Sequence, residues 1–383
     1  MKIERPGSLS NMIRLSKSSI SFEEKEAVME VLEREFLGMG AEVLFFEEQL
    51  SIFFNRQTTC VVNGTAALHL ALQALGIGPG DEVIVPSLTY LSSFQAISAT
   101  GAKPVACDVS EDTLTMDYLD VEKRITKHSR ALMPVHYAGG VGNIDKIYEL
   151  AEKKNLRVVE DAAHAFGTSF KGNRVGSFGD IACFSFDGIK NITSGEGGCV
   201  VTNDQAILDR VMDDRLLGVK KDSEKRYSNQ RSWEFDVTSQ GWRYHMSNIM
   251  AAIGIQQLKK FEEKAEKRQK IAKHYDDLLQ DNSRLKRLNL NYDEVVPHIY
   301  SLRVLGLAEK EELQKRLLEK NIQTGVHYFP NHLLSLYKNK FQKDLPVTNK
   351  IHEELISLPL HPDLSMEEIE YICDTLRMTI DEL

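Results

Sequence analysis

Apolar residues recur along this chain in two alternating periods. Ala27, Val28, Val31 and Leu32 fall on one side of a helix that runs to about Arg34, and Ser21 with Glu24 spells a capping box at its start. Gly38-Met39-Gly40 ends that segment, and Glu42 to Phe54 reads as a second helix. A short strand from Cys60 stops at Asn63-Gly64, and a helix with Leu68, Leu72 and Leu75 on one face runs from Thr65 to Gly76. Strands at 81–86, 103–107 and 130–136 then alternate with helices at about 93–100, 117–126 and 144–154. Further apolar runs follow at Leu156–Asp161, 181–186 and Cys199–Thr202. Strands spaced by helices predict a mainly parallel sheet covered on both sides. A long helix over about 247–279, with Ile249, Ile253, Leu258 and Phe261 at near-helical spacing, is expected to link this unit to a smaller α/β part. That part reads as a strand at 298–306, a helix at 309–320 stopping at Asn321, and a strand ending in Gly325-Val326-His327-Tyr328-Phe329-Pro330. Ser365 and Glu368 box the last helix. Residues 1–13 read as a loose leader.

Chemistry concentrates at the ends of the strands. Strand 181–186 runs into a polar turn that carries Lys190, with Gly195, Gly197 and Gly198 free to fold closely around a ligand. A lysine held at the end of an apolar strand loses hydration, which lowers its pKa and frees the amine to attack a carbonyl. A solvated surface lysine beside a glycine turn is the ordinary alternative. Glu160 and Asp161 end the strand before it, 29 residues from Asp161 to Lys190, so one further strand fits between and both side chains can leave the same sheet edge. A carboxylate facing a Schiff-base lysine is the pair that pyridoxal phosphate needs, one group holding the carbonyl carbon and the other the ring nitrogen's proton. The first turn at Thr65 is a ready anion site, since its amides lack partners and the helix dipole is positive there. Thr65 as a plain cap is the alternative. Tyr90, just past a strand end, can stack on a flat ring or pack as a core tyrosine. His136 closes a strand and is not taken as a catalyst.

Composition narrows the class. The chain has 383 residues, long enough for two domains, with 42% hydrophobic and 27% charged residues. A net charge of −9 disfavours general nucleic-acid binding. Against that background residues 215–231 are locally basic: Arg215, Lys220, Lys221, Lys225, Arg226 and Arg231 face Asp222 and Glu224. The segment is either a solvated loop or a clamp for a diphosphate. Five cysteines, an odd number with no CxxC, fit buried reduced thiols better than disulfides or zinc, so no metal site is expected. The N-terminus lacks an apolar leader core and no run approaches membrane-spanning length, so a cytoplasmic protein with no membrane partner is expected.

Glu160-Asp161-Ala162-Ala163-His164, Phe184-Ser185-Phe186 with Lys190, and Thr193-Ser194-Gly195-Glu196-Gly197-Gly198 together resemble the DegT/DnrJ/EryC1/StrS family of sugar aminotransferases. The resemblance runs from about Ile13 to the C-terminus. It implies a fold-type I pyridoxal 5′-phosphate enzyme: an α/β chain with a large domain (1–250) built on a mainly parallel seven-stranded sheet, and a smaller C-terminal α/β domain (251–383). It implies that Lys190 and Asp161 are catalytic and that Gly64, Thr65, Ala66 and Ser185 bind the cofactor phosphate. Tyr90 would pack on the pyridine face and His164 would bond its phenolic oxygen. Gln240-Gly241-Trp242-Arg243 matches a family segment that usually crosses to the neighbouring subunit's phosphate with Asn; here Arg243 stands at that position. Lys220, Lys221 and Arg226 would reach the diphosphate of the substrate, and His327 and Tyr328 would close over its sugar. The implied reaction moves an amino group from glutamate, leaving 2-oxoglutarate, to a keto group of a nucleotide-linked sugar, in a homodimer with its sites at the interface. Dehydratases of the family carry histidine in place of the lysine, so Lys190 favours transfer. A smaller phosphorylated or cyclic ketone as acceptor, and a non-catalytic sugar-binding protein on this fold, remain the alternatives.

Overall fold

The structure is a computed structural model that describes residues 12–230, 233–306, 309–338 and 344–383. Seven strands make the central sheet: β1 (Thr58–Val61), β2 (Glu82–Pro86), β3 (Lys103–Cys107), β4 (Ser129–Leu132), β5 (Arg157–Asp161), β6 (Ile181–Ser185) and β7 (Gly198–Val201). They lie in the order β1-β7-β6-β5-β4-β2-β3. The pairs β3–β2, β2–β4, β4–β5 and β5–β6 are parallel, while β7 runs antiparallel to both β6 and β1. The strands are buried along nearly their whole length, which explains why they read as continuous apolar runs rather than alternating ones. The expected helices are present as α1 (Phe22–Glu33), α2 (Ala41–Phe54), α3 (Gly64–Ala74) and α4 (Leu91–Ala99), followed by Tyr118–Arg124 and Ile144–Lys154. Both capping boxes, Ser21/Glu24 and Ser365/Glu368, are formed. Beyond the large sheet, Leu285–Arg287 (β8), Tyr300–Val304 (β9) and Leu355–Leu358 (β10) form an antiparallel three-stranded sheet. Its core is separate and includes Leu302, Ile356 and Ile372. All five cysteines are buried and free, and no helix among the described residues is long and apolar enough to cross a membrane.

Four expectations change. The strand expected over 130–136 ends at Leu132, because Pro134 has no amide to give the ladder; its carbonyl still accepts from Asp161 N, and His136 N donates to Asp161 O. The long helix over 247–279 is two helices, Asn248–Lys259 and Phe261–Leu279. Lys260 breaks it with φ −101° and ψ 7°, and its amine turns back to Glu23 at 2.5 Å and Ser21 at 2.7 Å. The run ending at Pro330 forms single bridges only, Ile322 with Ile13 and Gly325 with Ser357. Ile13, read as the end of a loose leader, is therefore tied to the fold; residues 1–11 lie outside the described residues.

The basic segment also divides. Arg215 is fully buried and belongs to the core, where its guanidinium meets Glu47 Oε1 at 2.5 Å, the Cys60 carbonyl and the Tyr227 hydroxyl. Glu47 Oε1 also accepts from Cys60 N at 2.7 Å. The pair ties α2 to β1 and to the short helix Asp222–Tyr227, in which Arg226 bonds Asp222 at 2.5 Å. Arg231 lies outside the described residues. Removing one partner of a buried, hydrogen-bonded ion pair strands the other charge, so Glu47→Ala is expected to lower the unfolding free energy by about 3 to 5 kcal/mol. Equilibrium denaturation measures this; a loss of only about 1 kcal/mol, the scale of an exposed pair, would contradict the assignment.

Candidate active site

The site lies at the carboxyl ends of β5 and β6, where parallel pairing sets Asp161 beside Cys183. Its cavity, about 410 Å³, is lined by Gly64, Thr65, Tyr90, Asp161, His164, Ser185, Lys190, His327 and Tyr328 among others. Nine of the residues singled out from the sequence therefore meet in one place. The turn after β6 carries Lys190 into the cavity lining, with Lys190 N bonded to Asp187 O and Phe186 N bonded to Gly197 O.

The anion-binding corner depends on close backbone approach. A Cβ on Gly64 would stand 2.8 Å from Ser185 Cβ, and one on Gly198 would stand 2.7 Å from the Asn63 carbonyl oxygen. Glycine at both positions lets the start of α3 sit directly on the ends of β6 and β7. The cap of α3 is Asn63 rather than Thr65: Asn63 Oδ1 accepts from Ala66 N at 2.8 Å. This engages the Ala66 amide and leaves those of Gly64 and Thr65, with the Thr65 and Ser185 hydroxyls, to face an anion at the positive end of the helix. Ala66 itself is buried and does not line the cavity.

Asp161 is held from two sides. Ser93 donates to its Oδ2 at 2.7 Å and Ala163 N donates to its Oδ1 at 3.3 Å, while Thr89 lies 3.0 Å from the Ser93 hydroxyl. Tyr90, the residue preceding α4, is 61% exposed, so its ring is available at the cavity rather than locked in the core. The Tyr90 and Tyr328 ring centres are 5.7 Å apart.

Lys190 is half-buried, and the protein packed around its amine lowers the pKa from 10.5 to about 8. Asp187 and Asp161 pull it upward, Arg268 downward. Three imidazoles surround the amine. His298 Nε2 is 3.3 Å from Lys190 Nζ. Ala138 N donates to His164 Nδ1 at 3.4 Å, which leaves the ring proton on Nε2, donated to the Tyr328 hydroxyl at 2.9 Å. The His164 edge expected to face a phenolic oxygen thus bonds a phenol of the protein itself. Burial, then the Lys190 charge, holds His164 and His298 well below the ordinary histidine range and His327 at about 4. His136 is elsewhere, bonded to Glu160 at 2.6 Å in a buried pair outside the cavity.

Other expected residues stand apart. Arg243, Lys220 and Lys221 are exposed and do not line this cavity, and Arg226 is paired with Asp222. Sequence reading missed Ser93 and His298. Neither has a periodic signal: Ser93 lies inside an ordinary amphipathic helix, and His298 follows Pro297 just ahead of β9. Asn63 was visible only as a strand end.

The donor set fits pyridoxal 5′-phosphate. The open amides of Gly64 and Thr65 suit a phosphate, the desolvated Lys190 amine suits an aldehyde, and Asp161 sits on the neighbouring strand end. In protein freed of cofactor, the Lys190 amine should react with acetic anhydride with a pH midpoint near 8, read from the Lys190 peptide by mass spectrometry. A midpoint at 10.5, the ordinary lysine value, would contradict the desolvation described here.

Residues 18–377 match the model of the DegT/DnrJ/EryC1/StrS aminotransferase family. The chain is 39% identical over 370 residues to GDP-perosamine synthase of Escherichia coli O157:H7, covering 95% of this chain and 97% of that protein. It is 36% identical over 367 residues to the spore coat polysaccharide biosynthesis protein SpsC of Bacillus subtilis, covering 94% of each. Among solved structures, Spr1654 of Streptococcus pneumoniae, assigned as a sugar aminotransferase and solved in PLP and PMP forms, superposes with a TM-score of 0.90 at 32% identity, covering 97% of this chain and 98% of that one. PseC of Helicobacter pylori, an aminotransferase of pseudoaminic acid biosynthesis, gives a TM-score of 0.90 at 28% identity, covering 97% and 100%. This chain belongs to the DegT/DnrJ/EryC1/StrS family of PLP-dependent aminotransferases.

Proposed function

We propose that this enzyme transfers an amino group from glutamate to a keto group of a nucleotide-linked sugar, for the synthesis of a surface glycan or glycoside. The observation that carries the reading is the desolvated Lys190 amine in one cavity with Asp161 and the open start of α3. The relatives' names support the substrate class: one is a GDP-perosamine synthase and another a spore coat polysaccharide biosynthesis protein.

Bound here, the cofactor supplies a conjugated ring that takes up the electron pair left when a proton leaves the donor's α-carbon. Lys190 would anchor the cofactor at rest. Once displaced, its amine accepts the proton from that α-carbon, a role its lowered pKa suits near neutral pH. Asp161 is oriented by Ser93 and the Ala163 amide, and there it would hold the ring nitrogen's proton. Gly64, Thr65 and Ser185 line the cavity where they would hold the phosphate, and Tyr90 lines it where its ring would pack on the pyridine face. His327 and Tyr328 line the same cavity, where they would close over the sugar.

The homodimer belongs to the same reading. Arg243, Lys220 and Lys221 serve no group within their own cavity. Nearby Leu217, Trp233, Phe235 and Val237 are exposed apolar residues that a second copy would cover. Set against a second subunit, this face brings cations to that subunit's phosphate and substrate diphosphate. The large unit (1–250) and the C-terminal unit (251–383) are read as the two domains that flank the cavity.

Lys190→Ala is expected to abolish amino transfer from glutamate to a panel of nucleotide keto sugars, and Asp161→Asn to lower it by about 10² or more while the protein stays folded. Neutralising Lys220 and Lys221 should raise KM for the sugar substrate and weaken its salt dependence. Normal turnover by folded Lys190→Ala would reject the reading; an unmoved KM would remove the lysines from it.

A further inference from the structure

His298 is the side chain nearest the working amine to which the reaction above gives no task. It is 3% exposed, and its ring is fixed from several directions. Its carbonyl accepts from Arg268 at 3.2 Å, and the preceding Pro297 carbonyl accepts from the same guanidinium at 3.4 Å. One flank lies against His164, with ring centres 4.4 Å apart. The Nε2 edge faces Lys190 Nζ at 3.3 Å. The other nitrogen, Nδ1, is buried and has no hydrogen-bond partner among the described residues. A buried polar atom left unmatched costs stability, so an arrangement that tolerates one is held for another reason.

The charges around the pair decide its direction. Lys190 is faced by Asp187, Asp161 and Arg268, and His298 by Lys190, His164, Arg268 and His327. Burial, and then the Lys190 charge, keep both His298 and His164 neutral, so the ring meets Lys190 as an acceptor. A neutral imidazole that accepts through Nε2 carries its proton on Nδ1, the atom that has no partner.

We propose that His298 is a positioning residue for Lys190, accepting a hydrogen bond from the protonated amine at Nε2 whenever that amine is not bonded to the cofactor. This rests on the reading of Lys190 given above. It has a definite use there. Between the two halves of an amino transfer the lysine is free, and a long flexible ammonium would otherwise swing toward Asp187 or Asp161. The charge-assisted bond to His298 keeps Nζ in the cavity with its proton available for the return step.

The test compares cofactor-free wild-type protein with His298→Phe, His298→Gln and His298→Asn, reading the pH midpoint of Lys190 acetylation. His298→Phe keeps a ring of similar size and removes the acceptor. Its midpoint should fall by about one pH unit, a tenfold smaller protonated-to-neutral ratio at a given pH. His298→Gln, whose amide oxygen has similar reach, should restore the wild-type midpoint. Thermal unfolding confirms that each variant is folded; if His298→Phe is not, His298→Asn, whose amide stops short, must show the same fall. In the loaded enzyme, kcat for His298→Phe should drop about tenfold with little change in KM, short of the loss expected for a proton-transfer group itself. An unmoved midpoint in a folded variant lacking the acceptor overturns the proposal. Amino transfer surviving Lys190→Ala would sink the functional reading instead, and leave the titration result standing.

Discussion

The structure turns on the desolvation of one amine. Water stabilises an ammonium ion far better than the protein packed around Lys190 does, and the two nearby carboxylates only partly compensate. The balance lies near 8. At pH 7 a lysine with that pKa is neutral about a tenth of the time, against about one part in three thousand for a solvated one. That difference separates a surface charge from a nucleophile and proton carrier. It also explains why the surrounding imidazoles are uncharged: a second cation in the same low-dielectric space would push the amine further from protonation and cost more desolvation.

The rest of the fold delivers groups to that amine. Parallel strands put Asp161 and the turn bearing Lys190 at one edge of the sheet, the edge where open α/β sheets form their crevices. Gly64 and Gly198 allow α3 to descend onto β6 and β7, so its positive end meets the same cavity. The buried pairs outside the cavity do a different job. Glu47 with Arg215 and His136 with Glu160 cross-link the frame. The chain thus contains buried ionisable groups of two kinds, those matched to partners and those left poised.

How much of this could be read in advance depended on whether the signal was local. Lys190, Asp161 and the start of α3 announce themselves by a strand, a turn and the residue types joined there, and the seven strands follow from apolar runs. The capping boxes fixed two helix starts within a residue. What failed was whatever depends on the third dimension. Arg215 looks like its basic neighbours until Glu47, 168 positions earlier, is found against it. The break at Lys260 falls on a residue that is not a helix breaker, one whose amine reaches across to Glu23 and Ser21 at the start of α1. Ser93 and His298 reach the site by tertiary packing alone, and no spacing in the sequence connects either to Asp161 or Lys190. The family resemblance supplied roles for Arg243, Lys220 and Lys221 that a single chain leaves unused.

One measurement bears directly on the central claim. The purified protein is reduced with borohydride, digested, and searched by mass spectrometry for a phosphopyridoxyl adduct. The account predicts the adduct on the peptide containing Lys190, with loss of the cofactor's visible absorption on reduction. An adduct on a different lysine, or a protein saturated with the cofactor that yields none, would contradict it.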